Sequence, residues 1–242
     1  VNDLFRVKRH LMMIFNEISR EFDATRRRPW DEIYLIAKKD QLIADVGCGS
    51  GRHAIAAIEC GSEVLAIDLS RDMLRIALNK SRVIGKSYLL HPILCDMNFM
   101  PLRGEVIDGA ACLATIHHIP SKSARIAALN EIFRALKPNG MLVLSVWAKY
   151  QPRFFSKIPA MLWKYVTGKV REFGDTYVPW RSRKGTFHRF YHLFSRREAV
   201  QTVGEAGFKV IKVYGKSFKS RFFAENHVVI GVKAPTSSNC CL

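Results

Sequence analysis

Four groups of residues in this chain are spaced as a ligand site would need them. DVGCGSG (45–51) opens with Asp45 and places Gly47, Gly49 and Gly51 at alternate positions. Such glycines let a backbone turn tightly and approach a ligand closely. No Gly-Lys-Ser/Thr follows, so the run is not a phosphate loop of the Walker type, and its GxGxG spacing is not a full GxGxxG. Asp68, with Leu69 after it, closes the next apolar run, where a carboxylate can accept from both hydroxyls of a ribose. Asp96, with Met97 after it, closes a third run, placed to accept from an adenine amino group. His117 and His118 follow a fourth run, and Arg26-Arg27-Arg28 stand just ahead of Pro29 and Trp30. A planar guanidinium suits capture of a carboxylate or phosphate because it binds two oxygens at once.

These residues need a scaffold that brings strand ends together. LIADV (42–46), EVLAID (63–68), YLLHPILC (88–95), VIDGAACLA (106–114) and MLVLSVWA (141–148) read as strands, with helical patterns between them. Ser70 and Ser121 read as N-caps of two of these helices, the second ending at the turn signal KPNG (137–140). The alternation predicts an α/β fold with a mainly parallel sheet covered on both faces. Pro92 assigns 88–95 to a sheet edge, since proline cannot serve a central ladder. A helix at about 195–206, closed by Gly207, precedes two further strands, FKVIKVYG and HVVIGVKA, which predict an antiparallel end to the sheet. The N-terminal VNDLFRVKRHLMMIF reads as an amphipathic helix, not a signal peptide. The chain starts at Val1, as a truncated sequence or a non-standard start would.

Hydrophobic residues make up 48% of the 242, enough to bury a single elaborated core, and no 18-residue apolar window is present to cross a membrane. Net charge is +17, and residues 151–242 carry 17 Lys/Arg against 5 Asp/Glu. That concentration points to a polyanionic partner. Six cysteines without CxxC spacing predict reduced thiols, a cytoplasmic protein and no metal site in this chain. Asn239 stands where a CaaX box needs Cys; the NCCL ending leaves a double-cysteine lipidation signal or, as expected here, a flexible tail.

The glycine turn with Asp68 and Asp96 resembles the class I S-adenosylmethionine-dependent methyltransferases, whose Rossmann-like sheet has an antiparallel last strand. Over roughly residues 10–233 the chain is similar to one family in that class. This is the tRNA methyltransferases that esterify 5-carboxymethyluridine at the wobble position. The pieces that match are FDATRRRPW (22–30), DVGCGSG, IHHIP (116–120), KPNG, VWA (146–148), VPW (178–180) and HRFYHLF (188–194). The segment between VWA and VPW departs from the animal relatives in being shorter and more basic.

The resemblance implies S-adenosyl-L-methionine as cofactor and tRNA as substrate. It also implies a small zinc-ribbon activator subunit, docked by sheet extension on the edge 88–95 and carrying the zinc. It implies N-terminal helices (1–40) lining the cofactor site, a cofactor-binding core (41–148), a basic and aromatic substrate insertion (149–194), a helix with a strand pair (195–233) and a tail (234–242). The cofactor set is then Arg26, Asp45, Gly47, Gly49, Gly51, Asp68, Leu69, Asp96 and Met97, with Arg26 on the methionine carboxylate. Arg28, His117 and Trp147 are placed at the reaction centre. Trp30, His118, Trp180, Arg181, His188, Arg189 and Tyr191 are placed on the substrate. Arg27, the loop RSRKG (181–185) and the lysines of 209–221 are assigned to the surface or to phosphates. A methyltransferase acting on a small molecule, such as a quinone precursor, and a non-catalytic RNA-binding subunit on the same fold stand as alternatives.

Overall fold

In a computed structural model, residues 2–218 and 222–235 are described. Residues 236–242 of the expected flexible tail, with Cys240 and Cys241, and Lys219 lie outside them. Helix α1 (Asn2–Thr25) is followed by a 3-10 turn at Asp31–Leu35. Then come β1 (Leu42–Val46), α2 (Arg52–Glu59), β2 (Glu63–Asp68), α3 (Arg71–Val83), β3 (Leu90–Leu94), β4 (Ile107–Leu113), α4 (Lys122–Ala135) and β5 (Leu136–Trp147). After them come α5 (Ile158–Val166), the hairpin β6 (Asp175–Ser182) and β7 (Gly185–His192), α6 (Arg196–Glu205), β8 (Lys209–Lys216) and β9 (Asn226–Val232).

Seven strands form one sheet in the order β3-β2-β1-β4-β5-β9-β8. β1 to β5 run parallel, and β9 is antiparallel to both of its neighbours. This is the expected class I α/β arrangement, with the Pro92 strand at one edge. Apolar side chains alternate between two cores because successive residues of a strand face opposite ways. Ala44, Ala110, Cys112 and Leu144 pack on the α4 and α6 side, while Ile43, Ala111 and Val143 pack on the α2 and α3 side. Both faces are covered, hence the continuous apolar runs. Strand order reverses between β1 and β4, which opens a crevice at their carboxyl ends.

KPNG differs from expectation. α4 ends at Ala135, and residues 137–140 bulge out of β5, with Ile107 opposite Leu136 and Gly109 already opposite Met141. Asn139 takes φ +65° there, which asparagine tolerates better than most residues.

α1 is held across the carboxyl ends of the sheet. Its Leu11, Ile14 and Ile18 are buried, and the Asn16 carboxamide oxygen accepts from the Ser70 hydroxyl (2.6 Å) and the Asp72 amide (3.2 Å) at the start of α3. Asp23 pairs with Lys80 of α3.

The hairpin is separate from the main sheet and is pinned to it by charge. His192 is fully buried, with Nδ1 2.7 Å from Asp175 and Nε2 2.6 Å from Glu198, near the α6 N-terminus. Lys149 lies 3.4 Å from Glu198, and the buried Arg125 pairs with Glu172. Glu172, His192 and Glu198 are close enough to hold a metal ion, but Arg125 and Lys149 already meet the acidic charge. Burial alone would raise the Glu198 carboxyl. Hydrogen bonding and charge from His192, the charge of Lys149 and the Ser195 amide outweigh it and bring it down to about 2.

The folded value lies below the unfolded value of about 4.3, so this stabilisation is complete above that pH and is lost as pH falls towards 2. Glu198→Gln should therefore lower stability at pH 7 by about 2 kcal/mol, discounted for partial exposure. It should also flatten the acid limb between pH about 4.3 and 2. Urea unfolding of both proteins across that range checks this; parallel limbs would remove the clamp from the stability account.

Candidate active site

The crevice is built from the loop after β1, the carboxyl end of β2, the segment after β3, the loop after β4 and the inner face of α1. Each glycine of the loop has its own reason. A Cβ at Gly47 would collide with Thr115, and one at Gly51, where φ is +79°, would come 2.6 Å from Ala77 of α3. A Cβ at Gly49 would meet only Phe22, at 3.9 Å, and would otherwise project into the cavity. Gly49 therefore keeps the cavity floor open, while the other two let the loop pack.

Asp68 bridges the two ends of this floor. One carboxylate oxygen accepts from the Gly49 amide and the other from the Ser70 amide, each at 2.8 Å. Burial lifts its carboxyl above the usual range, against the amides of Ser70, Gly49 and Leu69, which pull it down. Asp96 lines the same cavity and is engaged by Lys8 of α1 at 2.6 and 2.8 Å; Lys8 also donates to Asn98 at 2.5 Å.

Opposite the glycine floor stands an aromatic wall. His117 is buried and stacks on Tyr191 with ring centroids 4.9 Å apart and planes within 17°. Trp147 lies 4.4 Å from Tyr191 and 5.8 Å from His117. Nδ1 of His118 faces the Phe190 carbonyl oxygen at 2.9 Å. Burial, with the charge of Arg189, pushes His118 down to about 3 despite that carbonyl. Burial and the neighbouring His118, Arg189 and His192 charges hold His117 well below its usual range. Both rings are neutral near pH 7.

Behind the wall, Arg189 is buried with its Nε unpaired, its guanidinium over Trp180 (4.9 Å), Tyr191 (5.3 Å) and Phe15 (6.0 Å). Arg26 lies over Phe22 and Trp180 at 5.0 and 5.6 Å. Neither has a carboxylate within ion-pair distance among the described residues. Burial depresses both guanidinium pKa values, with Tyr191 opposing.

Of the expected residues, Arg26, Gly47, Gly49, Asp68, Leu69, Asp96, Met97, His117, His118, Trp147 and Tyr191 line this cavity. Trp180 and Arg189 stand one layer behind. Six do not belong to it. Asp45 is buried beneath the loop, its carboxyl pushed up to about 7 by burial, against the charge of Arg52, with Asp68 adding to the rise. Gly51 serves helix packing. Arg181 and His188 are exposed, because on β7 it is Arg189 and Tyr191 that face inward. Arg28 and Trp30 line a second, adjoining cavity. Trp30 is packed in the core against His53 and Phe218. Lys216 is not a free phosphate contact, since it pairs with the buried Glu32 at 2.5 Å.

Sequence reasoning missed Lys8, Phe15 and Arg52. Arg52 directly follows Gly51 and was legible as a loop cation; Lys8 and Phe15 carry no motif and needed the helix to be placed.

Residues 44–144 match the family described as Methyltransferase domain. That stretch of the chain is a methyltransferase domain, and the fold around it is the class I Rossmann-like α/β fold. The chain is similar to the tRNA (carboxymethyluridine(34)-5-O)-methyltransferase ALKBH8 of Mus musculus, 28% identical over 174 residues. That match takes in 69% of this chain and 24% of the mouse protein, so the chain spans about a quarter of that relative's length. A protein of Encephalitozoon cuniculi named as a methyltransferase is 27% identical over 213 residues, 84% of this chain and 89% of its own. Among solved structures, an S-adenosylmethionine-dependent methyltransferase from Methanosarcina mazei has a TM-score of 0.71 at 22% identity, over 86% of this chain and 99% of that one. A chain from the complex of the Haloferax volcanii Trm112 methyltransferase activator with a methyltransferase has a TM-score of 0.62 at 14% identity, over 91% of this chain and 98% of its own. These two likenesses establish the fold.

The methyltransferase cavity fits its cofactor. The open face of Gly49 admits a ligand against the backbone, and Asp68 presents a carboxylate at the position that suits ribose hydroxyls. Asp68→Ala should weaken S-adenosylmethionine binding about 100-fold or more, since two charge-assisted contacts are worth roughly 1.5–3 kcal/mol each. Isothermal titration measures this, and a retained thermal transition shows that the loop still folds. Unchanged affinity would relocate the site.

Proposed function

We propose that this methyltransferase acts on tRNA, esterifying the side-chain carboxylate of 5-carboxymethyluridine, or its 2-thio form, at the wobble position. One observation carries the reading. The half-buried Arg26 and the buried Arg189, without carboxylate partners among the described residues, flank an aromatic cavity whose histidines are neutral. Such a cavity calls for an anionic guest. The relatives named as tRNA carboxymethyluridine methyltransferases support an RNA guest of this kind.

A carboxylate with a pKa near 4 is ionised at neutral pH and has no proton to lose, so the site needs no general base. S-adenosylmethionine, when bound, supplies an electrophilic methyl on a sulfonium, so transfer to a carboxylate converts two opposite charges into a neutral ester and a neutral thioether. A dry, weakly polar cavity favours that change. Phe15, Phe22, Trp147 and Tyr191 exclude water. Arg26 takes the methionine carboxylate, and Arg189, held back behind Tyr191, orients the substrate carboxylate without gripping its attacking oxygen. His117 and His118 offer neutral hydrogen bonding at the reacting end.

A small zinc-ribbon activator is proposed to dock on the β3 edge. Among the described residues β3 pairs only with β2, and Tyr88, Leu94 and Phe99 are 71%, 55% and 79% exposed around it. An apolar edge of that kind is an aggregation hazard when uncovered. The likeness to the activator-bound archaeal chain supports the same reading.

The test supplies methyl-labelled cofactor and tRNA carrying 5-carboxymethyluridine, with and without the activator, followed by nucleoside digestion. Label is expected in the methyl ester of that nucleoside. Arg189→Gln should lower kcat/KM by about 100-fold while leaving cofactor affinity intact, as loss of a charged hydrogen-bond partner would. Cofactor binding without any label in tRNA would overturn the proposal.

A further inference from the structure

The second cavity adjoins the first: Arg26, Arg52, Ala114 and Trp147 line both. Its walls hold an unusual charge balance. Besides Arg26, the arginines Arg27, Arg28, Arg52 and Arg153 line it, together with the acids Asp31 and Glu225, and none of the five has a carboxylate within ion-pair distance among the described residues. Lys216, the lysine there, is met by Glu32 and, at 3.9 Å, by Asp31. Two of these arginines lie over ring faces instead. Arg52 lies 5.7 Å from the Trp30 ring centroid and Arg153 lies 5.5 Å from that of Trp147. A guanidinium over a ring keeps its in-plane N–H groups free for an anion. Burial, together with the charge of Arg26, depresses Arg52 to about 10, so these cations crowd one another. Asn226, also buried in this wall, has a carboxamide oxygen that meets no donor.

We propose that this cavity seats the RNA backbone beside the target nucleotide, its arginines on flanking phosphodiesters and Asn226 on a ribose hydroxyl. Beyond Arg26, four guanidinium groups in a cavity leading away from the reaction centre exceed what one substrate carboxylate requires. A polynucleotide supplies one negative charge per residue along such a path. The inference rests on the reading of the protein as an RNA methyltransferase. It adds that recognition reaches past the modified base, so that a free nucleoside is a poor ligand.

The test uses the full chain and a fluorescently labelled anticodon-loop heptaribonucleotide with plain uridine at the target position, read by anisotropy across a salt series. Arg28→Gln and Arg153→Gln should each weaken binding about 10-fold and reduce the slope of log K against log salt by about 1. Cofactor affinity should not change in Arg153→Gln. A single neutral methylphosphonate beside the target should weaken wild-type binding, and weaken Arg153→Gln less. Unchanged affinity and salt slope in both variants would overturn the proposal. So would inorganic pyrophosphate or a nucleoside triphosphate binding as tightly as the heptamer, which would make the cavity a site for free phosphates. The assay reads no methyl transfer. Failure to esterify 5-carboxymethyluridine with the salt slopes falling as expected would reject the proposed reaction alone. Esterification with unchanged slopes would reject this cavity alone.

Discussion

The hairpin that completes the site is held by one buried ring. His192 sits between Asp175, at the start of β6, and Glu198, in the first turn of α6, so both nitrogens of the imidazole are engaged across two parts of the molecule. Its neighbours in sequence, Arg189 and Tyr191, are the hairpin residues that reach the cavity wall, and a shift in the ring would carry them with it. The surrounding charges, Glu172 with Arg125 and Glu198 with Lys149, compensate one another inside the protein. Removing one member of such a network is costly because it strands the others, whereas the intact network against an apolar replacement adds little net stability; what it fixes is one arrangement.

The electrostatics divide sharply on either side of that clamp. Beneath it, acids and bases are matched. In the two cavities the lysines are matched, Lys8 by Asp96 and Lys216 by Glu32, but the arginines are not. Arg26, Arg52, Arg153 and Arg189 lie over rings, and the histidines are kept neutral by burial and by neighbouring positive charge. Moving an anion into such a place costs less than moving it into an apolar pocket, because the protein has already been left with a deficit of negative charge. The same deficit accounts for the basic composition better than solubility does.

The sheet was legible because its strands, apolar on both faces, break at Gly47, Asp68, Asp96 and the histidine pair, where the crevice must lie. Ser70 and Ser121 as caps, and Pro92 at the edge, followed from local backbone chemistry. Legibility failed where a residue's role depends on which way a distant element turns. Period-two alternation put Arg189 and Tyr191 on one face and His188 on the other, but could not say which faced inward. Trp30 reads the same in sequence whether it is a stacking wall or a core residue; its burial in the cluster of Ile33, Ile43 and Ala54 decides for the core. Asp45 looks like a ligand because of the glycines beside it, yet a strand's last residues point alternately up and down, and its carboxylate falls beneath the loop.

α1 makes the cavity a seam between two bodies. One wall is the sheet, and the other is a helix attached through Asn16, Asp23 and the Lys8 latch on Asp96. A molecule lodged in the seam touches both walls and acts as a non-covalent cross-link. Breathing of the N-terminal helix and residence time in the cavity are therefore one process viewed from two sides: whatever loosens the latch shortens occupancy, and whatever fills the seam slows exchange of the helix amides.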